Sequence, residues 1–225
     1  MRYRTVLIDL DNTLFDSRAS SDAIIHDFFG AADSETIHED FRRCNRASLD
    51  RMARGELTRP GLRADAFAAL GALHPLPDTP ERLGIRYEEA LADAVLIYPD
   101  AREGLLRLRG AGARVFIASN GAEGTQRRRL ALTGLDRLLS GCFTSDKLGV
   151  GKPEPAFFTK ALALAGEAEP ARALMIGDEE GADVLGARRA GLDAALVYYG
   201  KAALESTAAA YAAPTLTALL DMLGI

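Results

Sequence analysis

The sequence predicts an α/β protein: a doubly wound parallel sheet carrying a helical module inserted after its first strand. Three observations carry that prediction. Short, unbroken apolar runs, "TVLIDL", "ARVFIAS", "ALMIG" and "AALVYY", read as strands buried on both faces. Helical patterns separate the last three runs, the alternation expected of parallel βαβ units. From about Ser17 to Tyr98 such runs are missing and helical patterns dominate.

The first strand runs out at Asp9 and Asp11. Thr36-x-x-Glu39 is a capping-box pattern, predicting a helix through "IHEDFRRCNRASLDRMARG". Thr58 and Thr79 each precede a further helical stretch with a proline close behind. The helical insertion is therefore expected at 17–98, and the sheet domain at 1–16 and 99–225. Within that domain, Ala113 to Ser119 is the second strand. "GTQRRRLALTGL" is a helix ending at Gly134, and a further helix spans Glu154 to Gly166. Ala173 to Gly177 is a strand, "EGADVLGARRAG" a helix ending at Gly191, and Ala194 to Tyr199 the last strand. Insertions of this kind are tolerated where the chain leaves a strand end.

Bulk composition excludes several classes. The 225 residues include 48% hydrophobic and 26% charged ones, enough to bury a core, and the net charge of −5 advertises no nucleic-acid surface. No stretch approaches the roughly 20 apolar residues of a membrane span. "MRYRTVLIDL" turns acidic too early for a signal peptide. A cytoplasmic protein is expected, without nucleic-acid or membrane partners. Cys44 and Cys142 lack metal-ligand spacing and read as reduced, packed thiols. The sequence leaves the oligomeric state, monomer or homodimer, open.

In an open parallel sheet, ligands bind outside the carboxyl ends of the strands. The first strand ends in Asp9 and Asp11, the second in Ser119-Asn120-Gly121, the third in Gly177-Asp178. Lys152 lies in the loop "GVGKPEP" and has a stem long enough to join them. Asp9, Asp11, Asp178 and Asp183 together would repel one another without a cation, and an all-oxygen ligand set suits Mg²⁺. Lys152, the Ser119 hydroxyl and backbone N–H groups would hold a tetrahedral dianion. An aspartate attacks phosphorus to give an aspartyl-phosphate; a second carboxylate serves as general acid and base. "GVGKP" is not a P-loop, since proline succeeds the lysine. The "RRR" of Arg127–Arg129 reads as a solvated helix face, and His26, His38 and His74 as ordinary packed or surface histidines.

"DLDNT", "SNG", "GKP" and "GDEEGADVLGARRAG", in this order and spacing, resemble the four motifs of the haloacid dehalogenase-like (HAD) hydrolase superfamily. The insertion resembles the helical cap of its subfamily I, and the likeness spans Val6 to Val197. It implies a Rossmann-like core under a cap that closes over the rim and chooses the leaving group. It implies that Asp9 is the nucleophile, Asp11 the general acid/base, and Lys152 the lysine steadying nucleophile and phosphate. Ser119, with Asn120 and Gly121, matches the phosphate-binding segment. Asp9, the main-chain carbonyl of Asp11 and Asp178 match the Mg²⁺ ligands. Thr13 matches the threonine that bonds to and orients the acidic loop, and Asp183 the second acid of the last motif. Two positions depart from the pattern: Glu179 stands where many relatives carry serine or threonine, and Asn12 where glycine is commoner. The stretch from Ser119 to Phe158 looks nearest to pyrimidine 5′-nucleotidases and phosphatases of acylated sugar phosphates.

The expectation is thus a Mg²⁺-dependent phosphatase of small phosphate monoesters, including nucleoside 5′-monophosphates. Sugar-phosphate or phosphoglycolate hydrolysis, a phosphomutase, and phosphonate or halo-acid hydrolysis stay open as enzymatic alternatives. A phosphoaspartate signalling module or ligand-binding relative is the non-enzymatic one. Substrate choice is expected from the insertion, near "RGELTR", Arg54 to Arg59.

Overall fold

A computed structural model describes residues 2–200 and 207–225; Met1 and residues 201–206, which the sequence assigns to the sheet domain, lie outside the described residues. The described chain divides into two compact units, one of Met1–Ser17 with Val95–Ile225 and one of Arg18–Ala94.

The first unit opens with β1 (Thr5–Ile8). The second unit holds most of α1 (Ser17–Phe29), then α2 (Glu35–Ala53), α3 (Leu62–Gly71) and α4 (Pro80–Asp93). The first unit resumes with α5 (Ala101–Gly110), β2 (Arg114–Ser119) and α6 (Glu123–Thr133). Next come β3 (Gly141–Thr144), α7 (Ser145–Leu148), α8 (Pro155–Ala165) and β4 (Ala173–Gly177). A π-helical turn (Glu180–Leu185) leads into α9 (Gly186–Arg189), then β5 (Asp193–Val197), β6 (Tyr211–Ala213) and α10 (Leu216–Met222).

The strands form one parallel sheet in the order β3-β2-β1-β4-β5-β6. Alternation explains the unbroken apolar runs. Val6 and Ile8 pack on one face with Leu105 of α5, Leu130 of α6 and Leu216 of α10. Leu7 packs on the other with Phe157 and Phe158 of α8 and Ala187 of α9. Helices on both faces bury every residue of β1.

In the helical unit, Ile25, Phe41, Phe67, Leu70 and Tyr87 are buried together, with Phe41 and Phe67 rings 4.9 Å apart. Thr79 caps α4 through the Arg82 N–H, with Pro80 behind it as expected. The cap of α2 is Ser34, which accepts from the Ile37 N–H, rather than Thr36. Ser34 is the last extended residue before the helix, the position from which a hydroxyl reaches the third N–H.

Residues 95–98, read from sequence as part of the insertion, belong to the sheet unit. Backbone pairing holds them there: Phe15 bridges Ile97, the Asp16 N–H donates to the Leu96 carbonyl, and the Tyr98 N–H to the Leu14 carbonyl. Among the described residues no helix is long and apolar enough to cross a membrane.

Candidate active site

β1 lies between β2 and β4, in register through the triplet Ile8, Ile117 and Ile176. Three neighbouring parallel strands therefore end together, and the residues just beyond their carboxyl ends share one rim. Asp9 emerges from β1, its N–H donating to the Ile176 carbonyl at 2.8 Å. Ser119 ends β2, and Asp178 succeeds Gly177 at the end of β4.

Lys152 reaches this rim from the loop before α8. Asn120 fixes its backbone from both sides, donating through Nδ2 to the Lys152 carbonyl and accepting the Lys152 N–H, each at 2.8 Å. The ammonium donates to Asp9 Oδ1 and Asp183 Oδ1, both at 2.6 Å. All three side chains are buried. Asp183 is held in turn by the Glu179 N–H at 3.1 Å.

The π-helical turn aims Asp183 inward. Both Asp183 and Val184 donate their N–H to the Glu179 carbonyl, so one turn is widened where the sequence suggests a regular helix. Gly177 makes room, because a Cβ there would lie 2.1 Å from Asp183 Oδ2.

The acidic cluster is short of positive charge. Asp9, Asp178 and Asp183 offer carboxylate oxygens within 4.8 Å of one another, and Lys152 bonds two of the three groups. Burial pushes the Asp9 carboxyl well above its ordinary value; Lys152 opposes this, while Asp183, Asp178 and Asp11 add to it. Burial pulls the Lys152 ammonium down, but Asp183 and Asp9 outweigh it and raise it above the lysine range. Hard oxygen ligands with surplus negative charge fit a divalent cation such as Mg²⁺.

Asp11 stands apart from this cluster. Its Oδ1 accepts from Arg129 at 2.6 Å and from the Ser17 hydroxyl, and its Oδ2 accepts from Gln126 Nε2 at 2.7 Å. Burial pushes its carboxyl up, but the charge and hydrogen bond of Arg129, with those of Ser17 and Gln126, hold it below the ordinary range. Asn12, next to it, has φ of 59°, a left-handed conformation that asparagine tolerates and glycine adopts freely. That explains why either residue fits this position.

Three sequence expectations change here. Arg129 is not on a solvated face: it is fully buried, while Arg127 and Arg128 are exposed. The Thr13 hydroxyl is buried without a hydrogen-bond partner among the described residues, so it does not make the loop-orienting bond implied for it. The Asn120 side chain is committed to the Lys152 backbone, which makes it a brace for the lysine. Gly121 keeps its place by the Ser119 hydroxyl, to which its N–H donates at 3.0 Å.

Sequence reasoning missed Gln126 and Arg129. Both lie on α6 three residues apart, and Leu130 is buried beside them. Their three-residue spacing puts them on one face of α6, but a run of three arginines does not tell which face meets the sheet.

A haloacid dehalogenase-like hydrolase family model matches residues 3–191. A phosphoserine phosphatase of Thermus thermophilus is 31% identical over 227 residues, covering 88% of this chain and 89% of its own. The pyrimidine 5′-nucleotidase YjjG of Escherichia coli is 29% identical, covering 85% and 84%. The YfnB protein of Bacillus subtilis, described as a HAD-hydrolase and solved bound to magnesium, superposes with a TM-score of 0.89 at 24% identity over the whole of both chains. An L-2-haloacid dehalogenase from Xanthobacter autotrophicus does so with a TM-score of 0.80 at 23% identity, covering 99% and 98%. At these identities the two structures speak for the fold alone.

Proposed function

The chain belongs to the haloacid dehalogenase-like hydrolase family, and from that premise we propose that it is a Mg²⁺-dependent phosphatase of small phosphate monoesters. The observation that carries this reading is the cluster on the rim: Asp9, Asp178 and Asp183 offer carboxylate oxygens within 4.8 Å of one another, and the Lys152 ammonium sits on Asp9 and Asp183 at 2.6 Å. A carboxylate beside a lysine, with surplus acid to hold a divalent cation, suits nucleophilic attack on a phosphate ester.

In this reading Asp11, ionised at rest, first takes up one proton from solvent; Asp9 attacks the phosphorus as a carboxylate, and the ester oxygen departs with the proton from Asp11. Water then returns a proton to Asp11 as its oxygen attacks the aspartyl-phosphate, freeing phosphate and restoring Asp9. Lys152 and the Ser119 hydroxyl hold phosphoryl oxygens, the Gly121 N–H steadies that hydroxyl, and Asp183 steadies Lys152. Asp9, Asp178 and the Asp11 carbonyl, with Asp183 beside them, would hold the metal. When bound, Mg²⁺ supplies Lewis-acid polarisation of the phosphoryl group. Residues 18–94 act as the cap that selects the leaving group.

The relatives named as phosphatases and a pyrimidine nucleotidase support phosphate esters over halo-acids, and make nucleoside 5′-monophosphates the first substrates to try. The test is phosphate release from nucleoside monophosphates, phosphoserine, sugar phosphates, phosphoglycolate and p-nitrophenyl phosphate, with Mg²⁺ or with EDTA. Release is expected with Mg²⁺, collapse with EDTA, and none from Asp9→Asn. Halide release from 2-chloropropionate with no phosphate from any ester would replace the phosphatase reading.

A further inference from the structure

Arg129 is an expensive residue to bury. A guanidinium out of water costs several kcal/mol unless its charge and donors are matched. Here it is 0% exposed and matched on every side. One terminal nitrogen donates to Asp11 Oδ1 at 2.6 Å and to Gln126 Oε1 at 3.1 Å. The other donates to the Ser17 hydroxyl at 3.0 Å, and that hydroxyl donates onward to Asp11. The guanidinium carbon lies 4.3 Å from the centre of the buried Phe15 ring, close enough for a cation–π contact.

Gln126 links this group to the second strand. Its Nε2 donates to Asp11 Oδ2 at 2.7 Å and to the Ser119 hydroxyl at 3.0 Å. Its amide passes so close to Gly121 that a Cβ there would lie 2.1 Å from Nε2. One amide nitrogen thus touches both the carboxylate assigned to proton transfer and the hydroxyl assigned to the phosphate. Both Asp11 oxygens are pinned, and the pinning groups are fastened to the phosphate-binding strand end. An aspartate at a strand end otherwise has two free torsions.

We propose that Gln126 and Arg129 are positioning residues, which fix the Asp11 carboxylate relative to Ser119 so that proton delivery and phosphate binding stay in register. This rests on the phosphatase reading. The residues touch no substrate; they act through Asp11.

The test uses two substrates in Mg²⁺ buffer. An alkyl phosphate needs a proton on its leaving oxygen; p-nitrophenyl phosphate does not. Arg129→Met and Gln126→Leu are expected to lower kcat/KM for the alkyl ester by about 10- to 100-fold, the scale of a misplaced catalytic group. The loss on the aryl ester should be at least tenfold smaller, the same pattern as Asp11→Asn, with KM changed less than about threefold. Arg129→Lys should recover part of the loss. Equal losses on both substrates, or no loss, in variants that still melt cooperatively would overturn the positioning role. Gln126→Leu decides the matter if Arg129→Met does not fold. Wild-type protein that releases phosphate from neither ester would instead overturn the phosphatase reading beneath it.

Discussion

Lys152 sits between Asp9 and Asp183 with all three side chains nearly dry, exposed by 3%, 10% and 2%. Removing one member of a buried ion cluster leaves charge uncompensated, at a cost of about 3–5 kcal/mol. Lys152→Met is therefore expected to lose stability of that order in urea denaturation at pH 7 without metal. Added Mg²⁺ should recover part of it. The lysine's folded pKa lies above its unfolded one, so its stabilising contribution is full below pH 10 and fades as pH rises beyond the unfolded value of about 10.4. A variant as stable as wild type without metal would mean the carboxylates do not repel as their geometry implies. Asp9, Ser119, Lys152 and Asp178 were legible in the sequence because each sits just past a recognisable apolar run or in a marked loop. Arg129 was not, since its burial depends on which way α6 faces the sheet, and a triple arginine looks the same from every side.

At the scale of elements, the junction of β4 with the π-helical turn sets the distance between Gly177 and Asp183. A methyl group at 177 would lie 2.1 Å from Asp183 Oδ2 and 2.3 Å from its Cγ. Gly177→Ala must therefore push the carboxylate off Lys152. It is expected to cost about 1–3 kcal/mol, as overpacking does, and about 100-fold in kcat/KM through misplacement. Gly181→Ala, in the turn itself, is the control: a Cβ there meets nothing within 4 Å, and stability should hold or rise by a few tenths of a kcal/mol. Circular dichroism melts and phosphate-release kinetics on both variants decide it; a fully active Gly177→Ala would show that Asp183 is not needed in place. The inner strands β1, β2, β4 and β5 were visible in the sequence because burial on both faces demands unbroken apolar runs. Strands β3 (Gly141–Thr144) and β6 (Tyr211–Ala213) were not, because they are the sheet's edges, short and paired on one side only. The π-helical turn was equally silent, because the extra bond to the Glu179 carbonyl that widens it leaves no mark on the helical periodicity of the sequence.

Taken whole, the described chain has separate cores in its two units. Ile25, Phe41, Phe67, Leu70 and Tyr87 close one within the helical unit, and the residues facing either side of the sheet close the others. The insertion was visible in the sequence as a break in strand pattern, while its edges were blurred because residues 95–98 return to pair with the first loop through Phe15. Two self-contained units predict two unfolding transitions rather than one. The candidate metal carboxylates, Asp9, Asp178 and Asp183, all belong to the sheet unit. A ligand stabilises only what it binds, so Mg²⁺ should shift one transition and leave the other in place. At 100 times its dissociation constant the gain is about 2.7 kcal/mol, which for a unit of this size moves a midpoint by roughly 5–10 °C. Differential scanning calorimetry with and without Mg²⁺ tests this directly. Two endotherms of which one moves would bear out independent units with the metal held by the sheet unit. A single endotherm that shifts as a whole would show that the units unfold together, and endotherms indifferent to Mg²⁺ would remove the metal from the acidic cluster.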